Sequence, residues 1–507
     1  MTDELKRKID EFRRRTELFA KGEISVKEYK GFSGGFGSYA QRGAKASMLR
    51  LRMSGGRIDK ERLAAMIQIC EKYDISKLHA TTCQTIQLHD IPLSSVADVL
   101  TDAVESGFYT LGGGGDFPRN VMASPLSGVE KDEYFDVLPY ADKAEEYLLE
   151  RADDVKLPRK LKVCFSNSEA NVVHATFRDL GFAAVGDGKF DVYCAGGMGA
   201  NPRMGVKVGE SVDGSEILYY IKAMISFFCR YGNYENRAKA RTRYIREVLG
   251  DEFTEKFNEE LDKAFAEGGL EISVSEKTVS KAADGIAPKS ERVIPQKQDG
   301  LYAVSVSPVG GIIRPELLKS IYEAIKDMES VSLRVAPDGT IYVINCTGSE
   351  AAKVLAATGG CAEKDIEKSV ACIGSGICQQ GLRNSQALLD AILDAVKPYD
   401  FKADALPKLR ISGCVSSCGA QLAGCMGFRG GVKMRDGKPV PAFVLTIDGR
   451  EQQDSEAFGE ECGAIAEDEI PVFMTELGKA VTEKGISYHE FSDKHRGELE
   501  ELINKYI

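Results

Sequence analysis

The sequence predicts an α+β protein in which one folding unit is used twice about a pseudo-twofold axis, and three observations carry that expectation. Residues 48–91 match residues 303–346 at a constant offset of 255 without a gap: Gly55 with Gly310, Gly56 with Gly311, Ile58 with Ile313, Leu63 with Leu318, Thr85 with Thr340. Both stretches read as an alternating strand, a Gly-Gly turn, an amphipathic helix and two short strands, the pattern of a small α+β unit. The correspondence continues behind each copy, where LPRKLKV (157–163) echoes LPKLRI (406–411), and Glu216, Ile217 and Gly232 fall opposite Glu469, Ile470 and Gly485 at an offset of 253. A duplicated chain places its main cleft between the halves, where pockets preferentially form.

In order along the chain, residues 1–30 carry Lys6, Arg7, Lys8, Arg13, Arg14 and Arg15 on a helical pattern and form an arm outside the repeat. The first small half-domain is expected at 31–115 and a larger domain at 116–274. Residues 275–299 are polar, weakly periodic and Pro-bearing, which marks a connector. The second small half-domain follows at 300–360, and the last domain occupies 361–507.

With 507 residues the chain has ample core for three to five structural units, and a charged fraction of 28% beside 43% apolar residues is that of ordinary globular proteins. No window holds the apolar run a membrane helix needs, and the start MTDELKRKIDEFRRR is charged where a signal peptide would be apolar, so the expected location is cytoplasmic, with no membrane partner. A formal charge of −11 argues against nucleic acid as a partner. An anionic substrate must therefore be drawn by a local basic pocket.

Nine of the 13 cysteines sit singly in apolar contexts and read as small buried hydrophobes. The other four differ. Cys372 and Cys378 frame ACIGSGIC, and Cys414 and Cys418 frame SGCVSSCG, with Gly and Ser between them that let backbone wrap closely around an inorganic core. In a reducing compartment such a set points to metal, cluster or redox chemistry. A 4Fe-4S cluster needs four thiolates. Structural zinc prefers shorter knuckles, and the five His residues are not at metal-ligand spacing. A cluster, another metal and no metal all remain open on spacing alone.

The C-x5-C followed by C-x3-C, within a chain that repeats itself, resembles the siroheme and 4Fe-4S family of nitrite and sulfite reductases over roughly residues 30–507. The resemblance implies duplicated ferredoxin-like half-domains plus two α/β siroheme- and Fe-S-binding domains. It implies that Cys372, Cys378, Cys414 and Cys418 hold the cluster and that Cys418 is shared with the siroheme iron.

Independently of that family, MLRLRM reads as a strand placing Arg50 and Arg52 on one face, and RKLKV does the same for Lys160 and Lys162. Arg119 follows the Gly-rich run LGGGGDFPRN, where bare backbone can approach a flat ligand. The resemblance implies that Arg52, Arg119, Lys160 and Lys162 hold the substrate oxyanion, and Lys at 162 is the residue type of the sulfite branch, where the nitrite branch has Asn. It also implies cofactor contacts from Thr81, Thr82, Gln84 and Gln87 in HATTCQTIQLH, from Asn120 beside Arg119, and from Gly196 and Gly197 in AGGMGANPRMG.

Two positions depart from the family pattern. Cys83 stands where the family has Arg, which leaves Arg50, Arg159 or Arg203 to meet the siroheme carboxylates, and VSS replaces the usual Pro-Asn-small turn between Cys414 and Cys418. No flavin, nicotinamide or hydrolase motif is present, so electrons must come from an external donor, for which a small ferredoxin is expected. The basic arm is one candidate surface to receive it. The function expected is six-electron reduction of sulfite to sulfide. Nitrite reduction, a cluster-only electron carrier or redox sensor lacking siroheme, and a non-catalytic relative are the alternatives.

Overall fold

The structure, a computed structural model, describes residues 2–276 and 278–507. Met1 and Lys277, in the expected arm and connector, lie outside the described residues. Among the described residues the chain forms four five-stranded sheets in two matched pairs.

The first small sheet runs, from edge to edge, Ser38–Ala40, Ala46–Leu51, Ile86–Pro92, Leu78–Ala80 and Ile312–Ile313. The second runs Val293–Pro295, Tyr302–Val306, Ile341–Cys346, Ser332–Val335 and Arg57–Ile58. Each copy therefore lends its post-turn strand to the other. Ile312 pairs with His79 and Ile313 with Leu78, while Arg57 pairs with Arg334 and Ile58 with Leu333. These are equivalent pairings under the 255-residue offset read from sequence, so the duplication is a true structural symmetry.

The Gly-Gly turns make the exchange possible. Gly55 and Gly310 have φ of 56° and 59°, and Gly56 and Gly311 have 70° and 71°, left-handed values that L side chains rarely adopt. A Cβ on Gly56 would lie 2.2 Å from Val335 O, and one on Gly311 would lie 3.0 Å from Ala80 O. The two half-domains consequently share one apolar core, in which Leu49, Leu63, Leu88 and Ile86 of the first copy join Val304, Leu318, Val343 and Ile341 of the second.

Each larger domain has its own core and the same mixed sheet. Met122–Ala123, Val163–Ser166 and Leu180–Gly186 run parallel, followed by antiparallel Lys189–Cys194 and Val206–Asp213. The second domain repeats this with Val370–Ala371, Leu409–Ser412, Met426–Arg435, Lys438–Ile447 and Glu460–Ala466. Mixed helices and sheets with ferredoxin-like half-domains are the expected α+β class.

The N-terminal segment does not project as a free basic arm. Helix Asp3–Ala20 is capped by Thr2 and buries Ile9, Phe12, Thr16 and Phe19, a helical stripe, with Ile9 and Phe12 joining the shared core. Five of its six cations are tied up locally, all but Arg7: Arg13 with Asp98, Arg14 and Arg15 with Glu11, Lys8 with Glu4 and Asp153, Lys6 with Asp3. The expectation of a donor-receiving arm overlooked these carboxylates, three of which, Asp3, Glu4 and Glu11, lie within the helix itself.

A buried polar seam joins the two larger domains. His174 Nε2 lies 2.7 Å from Glu451 Oε2, and Arg410 Nη2 donates to the same oxygen at 2.7 Å. Arg178 donates to His174 Nδ1 at 3.2 Å, so the neutral imidazole carries its proton on Nε2. Burial outweighs the Glu451 carboxylate and drops the His174 pKa to about 4, whereas burial is overcome by Arg410 and His174 at Glu451, which falls to about 2.

The signs follow by linkage. The folded chain binds a proton at His174 less readily than the unfolded chain, so this residue withdraws stability as pH falls from 6.5 towards 4. Glu451 contributes stability above 4.5 that is lost only as pH falls from there through about 2. Between pH 7 and 5 the His174 contribution amounts to about 2 kcal/mol. His174→Gln is expected to flatten the pH dependence of the urea midpoint in that window; a loss parallel to that of the unsubstituted chain would refute the assignment.

Candidate active site

A cavity lies where the two small copies and both larger domains meet, and Arg50, Arg119, Lys160, Lys162 and all four candidate cluster cysteines line it. Thr81, Thr82, Gln87, Asn120, Arg159, Gly196 and Gly197 line it as well. Residues from five separated stretches of sequence thus converge on one space.

The Gly-rich run at 112–115 gathers three functional groups. Arg119 donates to Gly113 O and Gly115 O, both at 2.7 Å, and Arg50 Nη1 donates to the same Gly113 O. Tyr39 Oη accepts the Gly115 N–H at 2.7 Å. Bare backbone is required here: a Cβ on Gly114 would lie 2.4 Å from Gly34 O and 2.7 Å from Tyr39 Oη. Burial, then Arg50, lowers the Arg119 pKa to about 10, and its Nε has no partner. Tyr39 is held below its ordinary value, because Arg119, the Gly115 amide and Arg50 together overcome burial.

Opposite this group, the strand entry at 159–163 presents Lys160 and Lys162. Neither ammonium has a carboxylate at ion-pair distance among the described residues; Asp179 accepts the Lys162 main-chain N–H and binds Arg241 and Thr242 with its oxygens. Burial and then the charges of Arg241, Lys162 and Arg119 push the Lys160 pKa well below the ordinary lysine value. At Cys83 burial raises the thiol pKa, but Lys162 and Arg178 outweigh it and bring the value to about 6. The departure from the family Arg has therefore placed an acidic thiol beside the two lysines.

Two of the expected site residues spend their polar groups on the protein itself. Arg52 is 3% exposed and its guanidinium is fully engaged, with Nε and Nη2 on Glu145 Oε1 at 3.1 and 2.9 Å and Nη1 on Leu111 O and Pro118 O. It lines the cavity as well, but its donors are spent on the protein, and Arg50 is the strand arginine that shares Gly113 O with Arg119. Gln84, expected to touch a cofactor, does not line the cavity: it binds the Ala123 main chain at 2.8 and 2.9 Å and Val335 O at 3.0 Å, stitching the larger domain to the second copy. Arg52→Ala leaves the Glu145 carboxylate buried without its cation, and an unfolding titration is expected to show a loss of about 3 to 5 kcal/mol. Stability unchanged within about 1 kcal/mol would refute this structural role.

The remaining expected contacts also have defined geometry. Arg159 pairs with Asp116 at 2.8 Å, which Arg237 shares at 2.6 Å. Asn120 accepts the Met53 N–H at 2.7 Å and donates to Cys83 O at 3.1 Å, fixing the Cys83 loop against the arginine strand. Thr81 turns that loop by bonding Thr85 Oγ1 at 2.7 Å, and Thr82 donates to Cys418 O at 2.8 Å. Gln87 Oε1 lies 3.4 Å from His79 Nδ1. A Cβ on Gly196 would collide with Phe177 backbone at 2.6 Å, and Gly197 pairs its main chain with Arg203 at 2.9 Å.

Fit to the two prosthetic groups can be judged from the lining. Among the described residues no three Cys, His or acidic side chains close on a single-ion position, as one tetrahedral zinc would require. The four thiols instead stand around the shared cavity. Cys372 Sγ accepts the Gly413 N–H at 3.2 Å and meets Ser385 Oγ at 3.1 Å, and Ser417 takes φ of 53° so that the VSS turn closes on Cys414 O. Backbone amides and hydroxyls aimed at sulfur are what a cluster's thiolates need. Arg243, 5% exposed, has Nε and Nη1 without partners beside Gly197 and Gly199, and with the other cations it suits a polycarboxylate macrocycle.

Tyr39, Arg178, Arg241 and Arg243 were not singled out in the sequence. The ARTRY run and the Tyr39-Ala-Gln-Arg42 stretch carried no spacing signal, because they reach the cavity from short 3-10 turns and from the end of an edge strand, whose placement only packing sets.

Comparison with known proteins follows the same lines. The model described as nitrite/sulfite reductase ferredoxin-like half domain matches residues 39–106 and 294–359, the two exchanged copies, and that described as nitrite and sulphite reductase 4Fe-4S domain matches 114–265. A "Sulfite reductase [ferredoxin] 1" of Mycolicibacterium paratuberculosis is 24% identical over 80% of this chain and 74% of its own length. A chloroplastic ferredoxin–nitrite reductase of Zea mays is 27% identical over 80% of this chain and 74% of its own. The solved structure of the Mycobacterium tuberculosis NirA protein shares the fold, with a TM-score of 0.76 at 24% identity over 92% of this chain and 90% of that one. With more than half of its length matched by these models and with a cavity whose thiols and cations suit both groups, the chain belongs to the nitrite and sulfite reductase family, and its cofactors are siroheme and a 4Fe-4S cluster.

Proposed function

We propose that this protein reduces sulfite to sulfide, taking six electrons from an external protein donor through a 4Fe-4S cluster and siroheme that share Cys418. Nitrite reduction to ammonia on the same scaffold is the second reading, favoured by relatives of both kinds. The observation that carries sulfite is Lys162, an ammonium with no carboxylate partner that faces the same cavity as Lys160, Arg50 and Arg119. A dianion gains more from a fourth fixed cation than a monoanion does.

When bound, siroheme and the cluster supply electrons to an anion held in this cavity. The chain's own residues do the rest. Arg50 and Arg119, anchored on Gly113 O, clamp the anion from one side. Lys160 and Lys162 hold it from the other and release protons from Nζ to oxygens departing as water; the depressed Lys160 pKa makes that release easier at neutral pH. Converting SO3²⁻ to HS⁻ consumes seven protons with the six electrons and expels three water molecules, so the lysines must be reloaded from solvent. Tyr39, whose oxygen accepts the Gly115 N–H, keeps its own proton for the anion. The Cys83 thiolate offsets the crowding of cations beside the two lysines.

The test is the visible spectrum of anaerobically purified holoprotein with and without sulfite, followed by turnover with reduced methyl viologen. Bands that shift on sulfite addition and a kcat/KM for sulfite above that for nitrite are expected. A reversed preference would favour nitrite, and colourless, iron-free material despite supply of both groups would overturn both readings.

A further inference from the structure

The outer wall of the cluster-binding loops carries an apolar pair rimmed by cations. Leu382 is 51% exposed and Val415 is 49% exposed, and neither lines the cavity. The main-chain N–H groups of Leu382 and Arg383 donate to Gly413 O at 3.1 and 2.9 Å, which brings the two loops and their apolar residues side by side. Cys378 and Cys414, the neighbours of these residues in sequence, point inward to the cavity. The hairpin at 41–45 crosses from the first copy and fastens to the same place. Its Arg42 main-chain N–H donates to Ile377 O at 2.8 Å, and Arg42 Nη2 donates to Gly381 O at 2.7 Å and Cys378 O at 3.2 Å.

Charge singles this surface out. The chain as a whole carries −11, and the cations of helix Asp3–Ala20 other than Arg7 are paired with neighbouring carboxylates. Arg42, Lys45 and Arg383, by contrast, make no ion pair among the described residues: Arg42 and Arg383 bond only carbonyl oxygens, with the charge of Glu467 within reach of Arg383, and Lys45 stands exposed at the hairpin tip. Such an isolated positive patch on a negative protein steers an acidic partner to one place, and a small exposed apolar centre gives it something to bury on arrival. Electron tunnelling falls off steeply with distance, and a donor seated here rests against the loops that carry Cys378 and Cys414.

Resting on the function proposed above, we propose that Leu382 and Val415, rimmed by Arg42, Lys45 and Arg383, form the docking surface for a small acidic iron–sulfur electron carrier. Each docking transfers one electron: the carrier's reduced centre is oxidised by one, the enzyme is reduced by one, and six dockings serve one sulfite.

The experiment titrates full-length holoenzyme with oxidised plant-type ferredoxin by calorimetry and measures sulfite turnover with reduced methyl viologen in parallel. Leu382→Glu, and separately Lys45→Glu, are expected to weaken ferredoxin binding by about tenfold or more, most strongly at low salt. Viologen-driven turnover is expected to stay within about twofold of the unsubstituted enzyme, because the substituted side chains face away from the cavity. Arg14→Glu on the N-terminal helix is expected to leave both readouts unchanged. Unaltered affinity in both surface variants, weakening confined to Arg14→Glu, or no ferredoxin binding by the unsubstituted enzyme would overturn the docking surface. Failure of the functional reading shows separately, as absence of viologen-driven sulfite reduction.

Discussion

Cys418→Ser is expected to abolish sulfite turnover with any donor, a loss larger than the about 10- to 100-fold that removal of an outer-shell metal partner costs. A serine hydroxyl ionises far less readily than a thiol and is a hard oxygen ligand where a soft sulfur is required. The position offers no substitute: Thr82 binds the Cys418 carbonyl at 2.8 Å and Lys160 is the cation that faces its sulfur. Iron content and the visible spectrum are expected to change together with activity. Cys70→Ser supplies the contrast, since Cys70 is buried in helix Lys60–Lys72 away from the cavity and should retain both bands and turnover. Near-normal turnover of Cys418→Ser would refute the bridging role.

Lys162→Asn is expected to lower kcat/KM for sulfite relative to nitrite by about tenfold. A hydrogen bond to a charged group is worth about 1.5 to 3 kcal/mol, and the dianion loses more of it than the monoanion when the ammonium becomes an amide. Because the Lys162 main chain is fixed by Asp179 at 3.0 Å, the substitution leaves the strand in place. A second consequence follows at Cys83: with Lys162 gone, burial regains weight over the remaining cations, and thiol alkylation at neutral pH should slow. An unchanged sulfite-to-nitrite ratio would remove the reason for placing sulfite first.

The repeat was legible in sequence because symmetry copies spacing: Gly55–Gly56 and Gly310–Gly311 need the same left-handed backbone, so the offset survives where other residues have diverged. That Cys372, Cys378, Cys414 and Cys418 gather on one cavity was legible for a related reason, since they sit in pairs on short loops rich in Gly and Ser. Arg50 and Arg52 show the limit. Strand alternation puts both on one face, yet Glu145, 93 residues away, claims Arg52 and leaves Arg50 to the Gly113 carbonyl. Gln84 fails in the same way: a polar residue in a polar motif spends its amide on Ala123 and Val335.

The arm shows the converse error, where charges that look free in a linear reading are cancelled by Glu11, Asp98 and Asp153 once the helix packs. Sequence by itself determined the duplication, the α+β class, the thiol set and the lysine pair, because each depends on local backbone geometry or on residue types at short spacing. Tertiary structure alone decided the strand exchange between copies, which distant groups claim the donors of Arg52, and how Tyr39, Arg178 and Arg243 reach the cavity. Those outcomes depend on which distant partner satisfies a buried charge, and a buried charge is settled by the whole fold around it.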